Sequence, residues 1–283
     1  MAARQRSGEA ITQPQILSAL KRSGYPFEIE ILISLERHGL DPVNGFRFRV
    51  ADGPTRPSRG EPEEPVSALT REIDTMASVH AGKVVPAVAE AVGGPVSARL
   101  VAMIEAKSLP LSEAFVAFPV KPPGAQALRG ARTRFAGAPC LGPLPGYDEA
   151  MSVAPVLSAA LDPLNDVPCC IQWAVVEEAK GEHTANHPPR WAAALWNLMR
   201  MIHYHARETT EFLLGRDDAD ARVDFHEPTL FVKTPCLYLF DVPSNTLTPT
   251  QHLVLSQYVE VPGGVQQLRL VNVVAYPFDE SRS

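Results

Sequence analysis

The sequence predicts an α+β fold, a mixed central sheet flanked by helices. Helix boundaries near the N-terminus, strand-like alternation after them and a long amphipathic segment further on carry that expectation. Thr12-Gln13-Pro14 offers a capping hydroxyl and an early proline, and Gly24 offers a stop. A second helix is expected to begin near Pro26 and to end at Gly39, a residue suited to closing it. Phe46-Arg47-Phe48-Arg49-Val50 alternates apolar and polar side chains, as a strand does. Residues 51–66 are a loop of proline, glycine and charge. Strands follow at 69–79 and 99–107; the segment between them is ambiguous apart from the turn at Gly93-Gly94-Pro95. Residues 119–168 are loaded with proline, glycine and alanine, with room for one short helix near 149–161, and read as an insertion. Trp191 to Arg207 is helical, with Trp191, Leu195, Leu198 and Ile202 on one face. Strands at 229–240 and 266–276 complete the chain. The expected organisation is one domain over 1–283, with core motifs in 14–110, the insertion at 119–168, and a C-terminal helix and strands within 169–283.

Of the 283 residues, 45% are hydrophobic and 20% charged, enough apolar surface for a core and too much for global disorder. The opening MAARQRSGEAITQ lacks a signal-peptide apolar stretch, and no run approaches the roughly 18 apolar residues of a membrane helix. A soluble cytoplasmic protein is the expectation. Cys140, Cys169, Cys170 and Cys236 form no C-x-x-C pair, which fits reduced thiols. A net charge of −6 argues against a protein that coats nucleic acid through general basicity, though not against an enzyme with an acidic metal site. The charge is uneven: no Asp or Glu occurs from Ala114 to Tyr147, which holds Lys121, Arg129, Arg132 and Arg134. Arg47, Arg49, Arg56 and Arg59 face only Asp52 between Phe46 and Gly60.

The chemistry lies in the two middle strands. Period-2 geometry puts Glu72 and Asp74 on one face with Ile73 behind, and Glu105 and Lys107 on one face with Ile104 and Ala106 behind. Charges at the edge of apolar strands need partners or a metal. Two carboxylates facing one site repel, and a hard divalent cation such as Mg²⁺ removes that repulsion. The nearby ammonium can hold or deprotonate a water and neutralise phosphate charge, as metal-assisted phosphodiester hydrolysis requires. Upstream, Glu28 is expected in the middle of an apolar, core-facing stripe with Ile31, Leu32 and Leu35, whereas Glu30 falls opposite with Ser34 and Arg37.

Gly24-Tyr25-Pro26-Phe27-Glu28, then Arg71-Glu72-Ile73-Asp74, then Ile104-Glu105-Ala106-Lys107 resembles the PD-(D/E)XK, or restriction-endonuclease-like, nuclease superfamily. The resemblance covers about residues 14–110, with a looser echo in the last two strands. It implies a restriction-endonuclease-like sheet flanked by helices and Mg²⁺-dependent cleavage of nucleic acid, DNA more than RNA, with Mn²⁺ as a substitute. Asp74 and Glu105 would then be metal ligands, Lys107 the water-activating group, and Glu28 a support for the metal or its waters. No proline directly precedes Asp74, and the insertion has no counterpart in the resemblance.

Competing readings are plainer. Asp74, Glu105 and Lys107 can form a structural salt-bridge cluster, and Glu28 can serve only the helix dipole. Glu72 is a reserve ligand or a partner for Arg99. A catalytically inactive scaffold of this fold, binding nucleic acid or a protein, is the alternative to an enzyme. His203 and His205 lie two apart on a helix and cannot chelate jointly; His183 and His187 lack the other members of a zinc set. Cys169-Cys170 reads as buried filler, and the helix with Trp191 and Trp196 reads as core rather than a stacking platform. If Lys121, Arg129, Arg132 and Arg134 touch phosphates, neutralising all four weakens DNA binding across sequences and flattens its salt dependence. An unchanged salt slope in the quadruple variant assigns the stretch to ordinary surface.

Overall fold

Local chemistry sets the N-terminal helices. Helix α1, Gln13–Ser23, opens on a reciprocal cap in which Gln15 Oε1 accepts the backbone N–H of Thr12 at 2.9 Å. It closes at Gly24, whose φ of +86° is easy only for glycine. Helix α2, Tyr25–Arg37, starts from the same residue and takes Pro26 in its first turn. The computed structural model describes residues 12–50, 69–83, 96–120, 167–179, 181–214, 221–261 and 265–277. Lys121, Arg129, Arg132 and Arg134, most of the expected insertion and the expected helix near 149–161 lie outside them.

The rest of the described chain is mostly strand, with one more helix. The strands are β1 Asp41–Val50, β2 Leu69–Lys83, β3 Val96–Ser108, β4 Ala114–Pro119, β5 Cys169–Ala179 and β6 Glu182–Asn186. Helix α3, Pro189–Leu214, follows, and then come β7 Ala221–Lys233, β8 Leu237–Asp241, β9 Thr246–Thr250, β10 His252–Val261 and β11 Val265–Tyr276. All join one mixed eleven-stranded sheet of order β1-β2-β3-β7-β11-β10-β5-β4-β8-β9, with β6 added beside β5. The class is therefore α+β, a large sheet with three helices among the described residues.

β3 is an interior strand, antiparallel to β2 and parallel to β7, and both of its faces are covered. Val101 and Met103 join Trp191, Leu195 and Leu198 of α3 in the main core. Ile104 and Ala106, on the other face, pack on Phe27 and Ile31 of α2. The buried stripe of α2 thus centres on Phe27 and Ile31, and Glu28 stands at its border rather than in its middle.

Several boundaries differ from the sequence expectation. β1 begins at Asp41 because its pairing with β2 runs from Asp41↔Ser78 through a glycine, Gly45, at φ +62°. The single strand expected at 229–240 is two. β7 stays between β3 and β11, and the Thr234 hydroxyl donates to the Cys236 carbonyl at 3.0 Å as the chain turns through Pro235. β8 then pairs with β4. Trp191 is fully buried as expected, but Trp196 is 40% exposed. Leu198→Ala should lower unfolding free energy by roughly 2–5 kcal/mol, since it empties core volume, while Trp196→Ala should cost less than about 1 kcal/mol. Urea unfolding of both variants measures the contrast.

Candidate functional site

The site forms where two paired strands part. β2 pairs with β1 along its length down to Val50↔Leu69, and β3 stays with β7 to Ser108↔Lys233. Between β2 and β3, however, the last pair is Thr75↔Ile104. Two residues further along β3, the backbone N–H of Ala106 has no strand partner on the β2 side. It donates instead to Asp74 Oδ2 at 2.7 Å. The carboxylate takes the role of a ladder carbonyl, which satisfies a backbone donor that would otherwise be left unmade.

Lys107 ties the fork together. Its ammonium donates to Glu105 Oε2 at 2.7 Å and to Asp74 Oδ2 at 3.1 Å, with the Ala106 carbonyl at 3.3 Å. Glu105 is only 3% exposed, beneath α3. From that helix the Asn197 amide contacts both Glu105 Oε1 and the Glu72 carbonyl at 3.5 Å. Glu28 of α2 is near enough to feel the charges of Asp74, Lys107 and Glu72. Asp74, Glu105 and Lys107 are thus in direct contact, and Glu28 lies within electrostatic reach.

Glu72 shares the strand face of Asp74 but pairs outward with Arg47 at 2.7 Å, rather than with Arg99. Gly45 makes this possible: a Cβ there would stand 3.2 Å from Glu72 Oε1, at a φ that side chains rarely adopt. Glu30 lies on the other flank of the Phe27–Ile31 stripe from Glu28, where it accepts from Lys233 of β7 at 2.8 Å.

The protonation equilibria are tilted by burial and like charge. Desolvation, reinforced by Asp74, pushes Glu105 up from 4.5 to about 7, although Lys107 and Asn197 oppose the rise. Burial pulls Lys107 down, but Glu105 and Asp74 outweigh it and the net shift is upward, so Lys107 stays an ammonium. Glu28 is raised by burial and then by Asp74 and Glu72, against Lys107. Burial, helped by like charge, thus favours the protonated form of both Glu105 and Glu28 beside the one lysine.

That donor set suits a hard cation. Asp74 Oδ1 makes no hydrogen bond among the described residues, and Glu105 Oε1 has only the long Asn197 contact. No group of three or more His, Cys, Asp and Glu side chains among the described residues could enclose a metal. A cation held by Asp74 and Glu105 would complete its coordination with water and substrate oxygen, as Mg²⁺ commonly does.

The other sequence candidates do not join the site. His183 and His187 are exposed, and His187 instead bonds the Trp173 carbonyl. Cys169 and Cys170 are buried. The sequence reading missed Asn197, whose only signal was its place beside Leu198 on the edge of the apolar stripe. It also missed the contact of buried His205 and His226, with Nδ1 2.9 Å from Nε2; nothing in the sequence pairs residues on α3 and β7. No helix among the described residues is long and apolar enough to cross a membrane. Comparison with family models, curated proteins and solved structures gives no match to this chain.

The raised Glu105 predicts a pH-dependent stability with a definite sign. Between 4.5 and about 7 the folded chain keeps a proton that the unfolded chain has released. Metal-free stability should therefore fall as pH rises through that window, by on the order of 2–3 kcal/mol. Glu105→Gln should lose this slope, and Mg²⁺ should restore stability to the wild type near pH 8. Thermal melts from pH 4 to 8 with and without Mg²⁺ measure it; identical slopes in both proteins contradict the assignment.

Proposed function

We propose that this chain is a Mg²⁺-dependent nuclease of the restriction-endonuclease-like class, hydrolysing phosphodiester bonds in DNA in preference to RNA. The observation that carries the reading is the ammonium of Lys107 held between Asp74 and Glu105 at the opening of the sheet. A purely structural ion pair needs one carboxylate. Here two converge on one lysine, with Glu28 within electrostatic reach, which is more acid than one ammonium can pair. The order of the motifs on helix, strand and strand is what the superfamily resemblance implies, and the mixed sheet with α2 and α3 on opposite faces is compatible with it.

The residues divide the work by charge. Asp74 and Glu105 would hold Mg²⁺, which when bound supplies electrostatic stabilisation of the charge that builds on the phosphate. Mn²⁺ suits the same oxygens. Asp74 is fixed for this by the Ala106 N–H, so its geometry is set before a ligand arrives. Lys107, kept protonated, serves as a hydrogen-bond donor that orients water and neutralises a phosphate oxygen. Glu28, closer to Asp74 than its place in the sequence suggests, can accept hydrogen bonds from waters of the ion. Water attacks phosphorus, and the bond from phosphorus to the leaving oxygen breaks.

The test is cleavage of plasmid, linear DNA and RNA in Mg²⁺, Mn²⁺ or EDTA. Asp74→Ala and Glu105→Ala should reduce cleavage at least a hundredfold, while DNA affinity in EDTA holds or rises because carboxylate–phosphate repulsion is relieved. Lys107→Ala should also lose cleavage but bind DNA more weakly, since a cation is gone. A structural cluster gives another pattern, in which all three variants melt early and wild-type protein cleaves nothing. Wild-type binding without cleavage identifies a scaffold, and folded variants that cleave like the wild type refute the assignment.

A further inference from the structure

Helix α3 carries a second feature beside the carboxylates. Trp196 is 40% exposed, although Trp191 and Trp173 are buried in the core. The guanidinium of Arg200 lies 5.1 Å from the centre of its ring, over the indole face. Arg190, earlier on the helix, is engaged by Glu113 at 2.6 Å. Arg200 differs: among the described residues its one recorded partner is Trp196, with no carboxylate within ion-pair distance. The sequence from Pro189 to Arg207 contains no Asp or Glu, in a chain of net charge −6. An exposed arginine without a carboxylate is thus held on the acid-free first part of α3, close to the carboxylates of the candidate site.

Position links this pair to the site. Asn197, which touches Glu105, immediately follows Trp196 and lies three residues before Arg200. Residues three apart are neighbours on a helix surface, so Arg200 and Asn197 share a flank. A phosphate on Arg200 would therefore belong to the same strand segment that approaches Asp74 and Glu105. An aromatic face beside a phosphate-binding cation matches one ligand chemistry, a nucleotide whose base is free to stack. In an intact duplex the base faces are hidden in the stack, and only the backbone remains within reach.

We propose that Trp196 and Arg200 form a nucleotide-binding platform, the indole stacking an unpaired base of the substrate strand and the guanidinium taking its phosphate. The inference rests on the nuclease reading and narrows its substrate to single-stranded, frayed or flapped nucleic acid. Trp196 supplies selectivity for the unpaired state, and Arg200 supplies affinity that does not depend on it.

Binding in EDTA separates the platform from the chemistry. A labelled single-stranded oligodeoxynucleotide and the blunt duplex of the same sequence are titrated by anisotropy and by intrinsic tryptophan quenching. Trp173 and Trp191 are buried, so quenching reports Trp196. Trp196→Ala should weaken single-strand binding on the order of tenfold and leave the duplex within about twofold, while Trp196→Phe keeps most of the affinity. Arg200→Ala should weaken both ligands and lower the salt slope by about one. Equal loss for single strand and duplex in Trp196→Ala, or no quenching by the single strand, overturns the platform. Cleavage in Mg²⁺ by wild type and Asp74→Ala judges the nuclease reading separately. A chain that cleaves but ignores Trp196→Ala sinks the platform alone. One that stacks single strands but never cleaves sinks the nuclease reading alone.

Discussion

The divergence of β2 from β3 after Thr75↔Ile104 is the constraint on which the site depends. A sheet that stayed paired would spend the Ala106 N–H on a ladder carbonyl and leave no gap for Asp74 to enter. Because β2 keeps β1 and β3 keeps β7, the opening has rigid walls on both sides. The carboxylate of Asp74 closes the gap at its inner end, and Lys107 joins it to Glu105. Each charged group answers a need left by another: an unpaired backbone donor, a buried carboxylate, a desolvated ammonium. Packing several acids around a single base is what raises Glu105 and Glu28, with burial the larger cause.

The two covering helices place the remaining groups by opposite means. α2 lies on the Ile104–Ala106 face through Phe27 and Ile31, and that seat leaves Glu28 at the border, half-buried and within reach of the fork. α3 lies on the other face through Trp191, Leu195 and Leu198. With those side chains inward, Asn197 falls at the flank over Glu105, and Trp196 and Arg200 face outward. One helix thus covers the Glu105 carboxylate and turns a different surface, with Trp196 and Arg200, to the outside. Gly45 has a comparable role in β1, where the missing side chain lets the Glu72 carboxylate turn toward Arg47.

The edges of the sequence reading show where local pattern loses force. β5 and β10 were not expected because Cys169-Cys170 and Leu253-Val254-Leu255 are continuous apolar runs, buried on both faces, with no alternation to mark them. Their pairing with each other, and that of β4 with β8, joins segments far apart in the chain. An indole on an amphipathic helix is expected in the core, and Trp196 departs from that. Its angular position, opposite Leu198, and the cation of Arg200 keep it outside.

The sequence alone determined the α+β class, the two N-terminal helices with their caps, and the faces that group Asp74 with Glu72 and Lys107 with Glu105. Those features depend on periods of 3.6 and 2 residues and on the backbone freedom of glycine, which a short window contains. Tertiary structure alone decided that β2 and β3 part, that Asp74 turns to the Ala106 N–H while Glu72 turns to Arg47, and that Asn197 reaches Glu105. Such choices turn on which strand a neighbour prefers and on which helix covers which face. Burial raises Glu105 for the same reason: desolvation is a property of everything packed around a group, and none of those neighbours is adjacent to it in the chain.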